Sequence, residues 1–132
     1  MRILFAFDPW RSAILLVAGD TAGQWRTWYT EAIPLAEHRY ERYPLTGFVV
    51  RRDDGTVELA RLTIICCAAD ARVNRVRLRG DLPLDAFAAD TWLRVRGTLV
   101  PSPAVPAPAR SVPALTATSV EEIPAPADVY EY

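Results

Sequence analysis

The sequence contains no lysine, so arginine supplies all 15 of its basic side chains. Its 16 acidic residues bring the net charge to −1, which excludes a strongly basic protein and argues against nucleic acid as a partner. The most apolar uncharged runs, residues 12–19 and 62–69, are short. Since a membrane-spanning helix needs about 20 apolar residues, we expect no membrane insertion and a cytoplasmic protein.

Histidine and cysteine are also scarce, which limits the chemistry available to the chain. His38 is the only histidine and lies between Glu37 and Arg39 in a predicted helix, so it is interpreted as a solvated surface residue. One histidine without a placed nucleophile does not make a catalytic pair. Residues 18–23 contain two glycines but lack the lysine of a phosphate-binding loop. We therefore lean towards a protein without enzymatic activity.

The first part of the chain predicts a β-hairpin followed by a helix. Residues 2–7 and 13–18 are short runs of β-forming residues, separated by a turn that starts at Asp8 and Pro9. Apolar residues then recur at helical spacing from Trp25 onwards. Pro34 interrupts this stretch, and its missing backbone donor predicts a kink or a restart.

The remainder predicts a small β-barrel. Five strands are expected, with a short helical stretch between the third and the fourth, which is the element order of an OB-fold. They cover residues 46–52, 56–67, 75–79, 92–100 and 115–123. A proline-rich loop at 101–113 precedes the last strand. The predicted fold is mainly β (α+β): a hairpin and kinked helix over residues 1–43, packed on a five-stranded OB-like barrel over 44–132.

The aromatic residues of the predicted helix are candidates for partner binding. Trp25, Trp28, Tyr29 and Tyr40 lie within it, and such a stripe serves either as a packed face or as a binding surface. A helix packed across the barrel predicts a shared buried set, namely Trp25, Trp28, Ile33, Tyr40, Phe5, Leu15 and Val17.

Cys66, Cys67 and Asp70 form the most unusual local pattern. Two adjacent cysteines do not make a disulfide framework. Thiolates and a carboxylate can ligate zinc, but neighbouring strand residues point to opposite faces, so both sulfurs reach one ion only if the strand bends. The alternatives are a weak metal or redox site and two ordinary thiols packed as small side chains. No other cofactor is predicted.

The N-terminal residues resemble RelE/HigB-type toxins of bacterial type II toxin–antitoxin systems, many of which cleave mRNA on the ribosome. The resemblance lies in the motifs RILFAFDP at 2–9 and AILLVAGD at 13–20, and in the helical motifs Trp28-Tyr29 and Ala32-Ile33-Pro34. It covers residues 1–43 and only the later part of that fold.

The toxin resemblance implies roles for particular side chains. Arg2, Arg26 and Tyr29 would then contact phosphate and transfer protons. Thr21 stands where the family usually has lysine, and threonine cannot stabilise phosphate charge as a cation does. Nuclease activity is therefore expected to be impaired.

The rest resembles the soluble C-terminal domain of a bacterial permease-complex subunit family. This resemblance lies in the motifs LTGFV at 45–49, CCAADA at 66–71 and EEIPAPAD at 121–128. Members carry membrane helices before this domain, so the resemblance implies a membrane-complex context. The sequence is thus similar to a composite of two families, joined near residues 43–45.

Three functional hypotheses follow. The leading one is a non-catalytic protein-binding module in a toxin–antitoxin context, which binds or neutralises a RelE/HigB-type toxin or its antitoxin. The alternatives are an impaired mRNA-cleaving toxin and a soluble accessory domain of a permease complex.

Overall fold

The computed structural model describes residues 1–10, 13–19, 23, 25–64, 66–100 and 111–131. The predicted α+β fold is confirmed: strands dominate, and one α-helix occurs among the described residues. The elements are β1 (Arg2–Phe7), β2 (Ala13–Gly19), α1 (Trp25–Glu41), β3 (Leu45–Arg51), β4 (Val57–Thr63), β5 (Arg72–Arg79), β6 (Trp92–Val100), β7 (Ala114–Glu122) and β8 (Tyr130–Glu131). A 3₁₀ turn, Leu84–Ala86, occupies the predicted helical stretch between β5 and β6.

Strands β3 to β7 close into a ring. Strand β3 pairs antiparallel with both β4 and β6, and β5 pairs antiparallel with β4. Strand β7 completes the ring, antiparallel to β6 and parallel to β5. The short strand β8 lies parallel to the end of β4. Because each of the five strands pairs with two other strands of the ring, the ring satisfies backbone groups that an open sheet would leave at its edges.

The interior of the ring is filled by alternate residues of the strands. Among the described residues, the largest side chains with less than 2% exposure are Leu59, Leu93, Val49, Val76 and Val95. Strand β5 shows the alternation clearly, since Val76 and Leu78 are buried between arginines. Trp10, from the turn after β1, is 5% exposed and belongs to the same core cluster. The hairpin turn therefore contributes to the barrel core instead of standing apart from it.

The hairpin and helix form a smaller layer. Strands β1 and β2 pair only with each other, and α1 lies mainly against this hairpin. The hydroxyl of Tyr40 donates a hydrogen bond to the Phe7 carbonyl at 3.0 Å, and Arg39 donates to the Leu16 carbonyl. The helix runs without interruption through Pro34. No helix of the described residues has the length and apolar character required to cross a bilayer.

Two sequence-based expectations were wrong. Phe5, Leu15 and Ile33 are 57%, 73% and 45% exposed, because α1 covers only one face of a two-stranded sheet and that face does not include Phe5 or Leu15. Strand β4 ends at Thr63, not at residue 67, because the chain bends at the cysteines. Thr21 and residues 101–110 of the predicted proline-rich loop lie outside the described residues, as does the side chain of Trp25.

Candidate functional site

The hairpin presents an apolar surface to solvent, here called the outer face and made of Ile3, Phe5, Phe7 and Leu15. These side chains are 44%, 57%, 60% and 73% exposed, respectively. Phe5 lies opposite Leu15 in the register, and the rings of Phe5 and Phe7 meet edge to face with centroids 5.8 Å apart. Alternation along β1 puts these residues on one side, so the outer face is continuous and uncharged.

The residues expected to serve a nuclease lie on the other side of the hairpin, near α1. Arg2 donates a hydrogen bond to the Tyr29 hydroxyl at 3.0 Å, and its guanidinium lies 5.7 Å from the centre of the Tyr29 ring. Arg26 is exposed one helical turn before Tyr29, and residues three apart are neighbours on a helix surface. The structure thus brings Arg2 and Tyr29 into direct contact, with Arg26 nearby.

The helical aromatic residues are used for packing between helix and hairpin. Trp28 lies directly over Gly19, where a Cβ atom would overlap the indole nitrogen, and its ring meets Tyr29 edge to face at 5.0 Å. Burial, together with the Asp8 carboxylate, raises the pKa of Tyr40 above its ordinary value of 10.0. Trp28, Tyr29 and Tyr40 are half-buried and lie against the hairpin, and their role in partner binding stays a prediction.

Cys66, Cys67 and Asp70 converge at the end of β4, in what is here called the cysteine turn. The two sulfurs and a carboxylate oxygen all lie within 4.8 Å of one another. A 3₁₀ turn, Ala68–Asp70, brings the carboxylate back to the cysteines. Its Oδ2 accepts hydrogen bonds from the amides of Cys66 and Cys67 at 2.8 and 3.3 Å. Both thiols are free and exposed.

A cleft of about 680 Å³ lies between the hairpin turn and the barrel. Asp8 and Trp10 line it from the hairpin side, and Arg61 and Arg94 line it from the barrel. Arg61 is only 7% exposed, and its guanidinium lies 5.3 Å from the centre of the Trp92 ring. Sequence reasoning missed this cleft, because its residues come from five separate segments of the chain and share no local pattern.

Comparison with known proteins gives two independent matches. The family model of the DUF1980 C-terminal domain matches residues 28–132. A 43-residue segment is 58% identical to the protein named "Putative toxin HigB3" and 51% identical to "Putative toxin HigB2", both from Mycobacterium tuberculosis strain H37Rv. Each match covers 33% of this chain, but only 38% and 21% of the two relatives. No solved structure matches the chain significantly.

These matches confirm the composite nature of the sequence. A HigB-like segment, far shorter than the HigB proteins themselves, accompanies a barrel that carries the cysteine turn. The domain model begins at residue 28, inside α1, and continues to the last residue. Because that model spans most of the chain, the protein belongs to the DUF1980 C-terminal domain family.

Proposed function

We propose that this chain is a non-catalytic protein-binding module that acts in the cytoplasm within a RelE/HigB-type toxin–antitoxin system. The outer face of the hairpin carries the proposal. It lies in the part of the chain that resembles the toxins, and the partner is the antitoxin, the protein whose role is to recognise a toxin.

The chemistry of the outer face supports a protein partner. Soluble monomers rarely expose large contiguous apolar patches, and those that do generally use them for interaction. Two aromatic side chains, Phe5 and Phe7, are more than half exposed, and aromatic residues are enriched at the centres of protein interfaces. The only charged residue of β1, Arg2, is bonded to Tyr29 on the helix side. An apolar surface without charge suits a partner that buries aromatic anchors.

The partial toxin likeness supports the choice of partner. The chain spans 38% and 21% of the HigB proteins it matches, so it shares only a portion of their surface. A segment with a toxin-like surface can be recognised by an antitoxin, which favours the antitoxin as the partner. Thr21, in place of the lysine usual in such toxins, is consistent with a binding role.

The test is direct binding of the full chain to the antitoxin of a HigB-type pair, with the toxin in a parallel arm. We expect a stoichiometric complex with the antitoxin by size-exclusion chromatography. The double substitution of Phe5→Asp and Phe7→Asp should weaken binding by about tenfold or more, as expected for interface aromatic anchors. Val73→Asp is the matched control, because Val73 is 46% exposed but lies on the barrel.

Two outcomes would count against this proposal. One is the absence of any complex with antitoxin or toxin. The other is full binding by the Phe5/Phe7 double variant, which would move the interface away from the outer face. A complex with the toxin alone would replace the antitoxin as the partner.

The contact of Arg2 with Tyr29 supports a second candidate, a toxin with residual ribonuclease activity. Induction of the full chain in bacteria would then arrest growth, and Arg26→Ala would relieve the arrest. Normal growth at good expression would argue strongly against this candidate, since a ribosome-dependent nuclease acts at low concentration.

Family membership supports a third candidate, an accessory domain of a permease complex. The closed ring, whose third and fifth strands are parallel, supports an OB-like assignment for the barrel, and such barrels bind through their own surface. Photo-crosslinkers at Val100 on the barrel and at Phe5 on the hairpin separate the candidates. Membrane partners captured only from Val100 would favour the permease context.

A further inference from the structure

We propose that the cysteine turn, Cys66, Cys67 and Asp70, is a binding site for a thiophilic divalent cation, for which zinc is the probe. The site lies on the barrel and is independent of the outer face proposed for protein binding. Nothing in the HigB-like segment contributes a ligand, since all three residues lie between β4 and β5.

The end of strand β4 is what makes the site feasible. In a continuous strand the side chains of Cys66 and Cys67 would point to opposite faces. Strand β4 stops at Thr63, and the chain then bends at both cysteines before the 3₁₀ turn. The three candidate ligand atoms consequently lie within 4.8 Å of one another, although sequence alternation predicts that the sulfurs diverge.

Backbone hydrogen bonds hold the carboxylate against the two cysteines. The Oδ2 atom of Asp70 accepts from the amides of Cys66 and Cys67, and the Asp70 amide donates to the Cys67 carbonyl at 3.0 Å. A carboxylate offers about four lone-pair sites, so the two amide hydrogen bonds do not by themselves prevent Asp70 from ligating a cation.

The distances suit a small ion with sulfur ligands. Zinc binds thiolate sulfur at about 2.3 Å and carboxylate oxygen at about 2.0–2.2 Å, so tetrahedral geometry separates two sulfurs by about 3.8 Å. The separations of at most 4.8 Å need to close by no more than about 1 Å, which exposed cysteine side chains achieve by rotation about χ1. Three protein ligands leave a fourth position for water or a small ligand, as in open zinc sites.

The ligand types select the class of metal. Thiolates prefer zinc and other soft cations, whereas magnesium and calcium prefer sites made of oxygen alone. Metal binding displaces the two thiol protons into solvent, and the resulting two thiolates and one carboxylate carry three negative charges, which more than neutralise a divalent cation. The exposure of both cysteines gives the ion direct access from solvent, so no opening motion is needed for binding.

The experiment measures zinc binding to the reduced full chain, in competition with a chromophoric chelator. We expect one zinc per chain, and cobalt(II) in its place should show sulfur-to-cobalt charge transfer and the visible bands of tetrahedral coordination. Cys66→Ser and Cys67→Ser should each weaken zinc binding by at least about 100-fold, since even outer-shell partners of a metal ligand change affinity by 10–100-fold. Asp70→Asn should weaken it by about tenfold or more.

Matched controls separate the site from general effects. Asp81→Asn removes an exposed carboxylate outside the cysteine turn, and His38→Gln removes the single histidine, so neither should change zinc affinity. Circular dichroism without metal should show that the two serine variants fold like the parent, because both positions are exposed. If Asp70→Asn disturbs the turn, the serine variants still decide the question.

The proposal is overturned if the reduced chain binds no stoichiometric zinc. It is also overturned if either serine variant binds zinc as tightly as the parent, or if cobalt(II) shows no sulfur charge transfer. Since the measurement uses the chain without any protein partner, its outcome does not depend on the outer face.

Discussion

The hairpin and the barrel both contain strands rich in apolar residues, but they bury them to very different extents. Leu59 and Leu93 of the barrel have no exposure, whereas Phe5 and Leu15 of the hairpin are more than half exposed. The barrel closes on itself, so its inner face is covered from all sides. The hairpin has two strands, and α1 can cover only one of its faces. Closure, and not hydrophobicity, decides which apolar residues are buried.

The largest expected effect on stability comes from a cavity in the barrel core. Leu93→Ala should lower the free energy of unfolding by about 2–5 kcal/mol, because it leaves a cavity in a fully packed core. Leu15→Ala removes the same number of atoms from an exposed position and should change stability by no more than about 0.5 kcal/mol. Urea unfolding of both variants measures the difference, and equal losses would contradict the proposed role of closure.

Replacing glycines that lie close to other atoms should also cost more free energy of unfolding in the barrel than in the hairpin, although both costs are smaller. A methyl group at Gly97 would overlap the Thr116 carbonyl in the neighbouring strand, whereas at Gly19 it would overlap only the Trp28 side chain. Backbone in a closed ring cannot move away as a side chain can, so we expect Gly97→Ala to cost about 1–3 kcal/mol and Gly19→Ala to cost less. Thermal unfolding of the two variants tests this, and a costlier Gly19→Ala would be inconsistent with it.

Two carboxylates are each paired with an arginine, and the buried one should contribute more to stability than the exposed one. The Glu58 side chain is 3% exposed and lies 3.1 Å from Arg52, while Glu121 is 63% exposed and lies 3.2 Å from Arg94. We expect Glu58→Gln to cost about 1–2 kcal/mol, a value reduced because water screens the partly exposed Arg52. Glu121→Gln should cost less than about 0.5 kcal/mol. Denaturant titration of both variants at low and high salt measures these costs, and a large salt-dependent loss for Glu121→Gln would contradict the prediction.

The smallest expected effect tests how the hairpin is attached to the helix. Tyr40→Phe removes the hydrogen bond to Phe7 and should cost about 0.5–1.5 kcal/mol near neutral pH. Burial and Asp8 raise the pKa of Tyr40, so its contribution is fully present below about pH 10 and is lost as the pH rises through the folded-state value. The stability gap between parent and variant should therefore narrow above pH 10.0. A gap that widened there would show that Tyr40 ionises more readily when folded.

Local patterns predicted much of the fold. The strands of the hairpin and of the barrel fall close to the expected positions, and β6 covers the predicted residues 92–100. The end of β4 could not be read from the sequence, because residues 64–67 are as apolar as a strand, whereas the bend at Cys66 and Cys67 depends on hydrogen bonds that their amides donate to the Asp70 carboxylate. Strand β8 was missed because a two-residue strand has no periodicity of its own.

The candidate sites were predicted less completely. Cys66, Cys67 and Asp70 stood out by residue type, but the proximity of their ligand atoms follows from the turn. Phe5 and Leu15 were expected inside, and the cleft lined by Trp10 and Arg61 was not anticipated at all. Such features depend on which elements become neighbours, and a one-dimensional pattern does not contain that information.

The sequence by itself determined the fold class, most strand positions and the likeness to two families, because the pattern of apolar residues, the turn residues and the characteristic motifs are local properties. Only the tertiary structure decided which strands pair to close the predicted barrel, that Trp10 of the hairpin enters its core, and that the outer face stays in solvent. These outcomes depend on surface covered by distant parts of the chain, and burial is a property of neighbours in space.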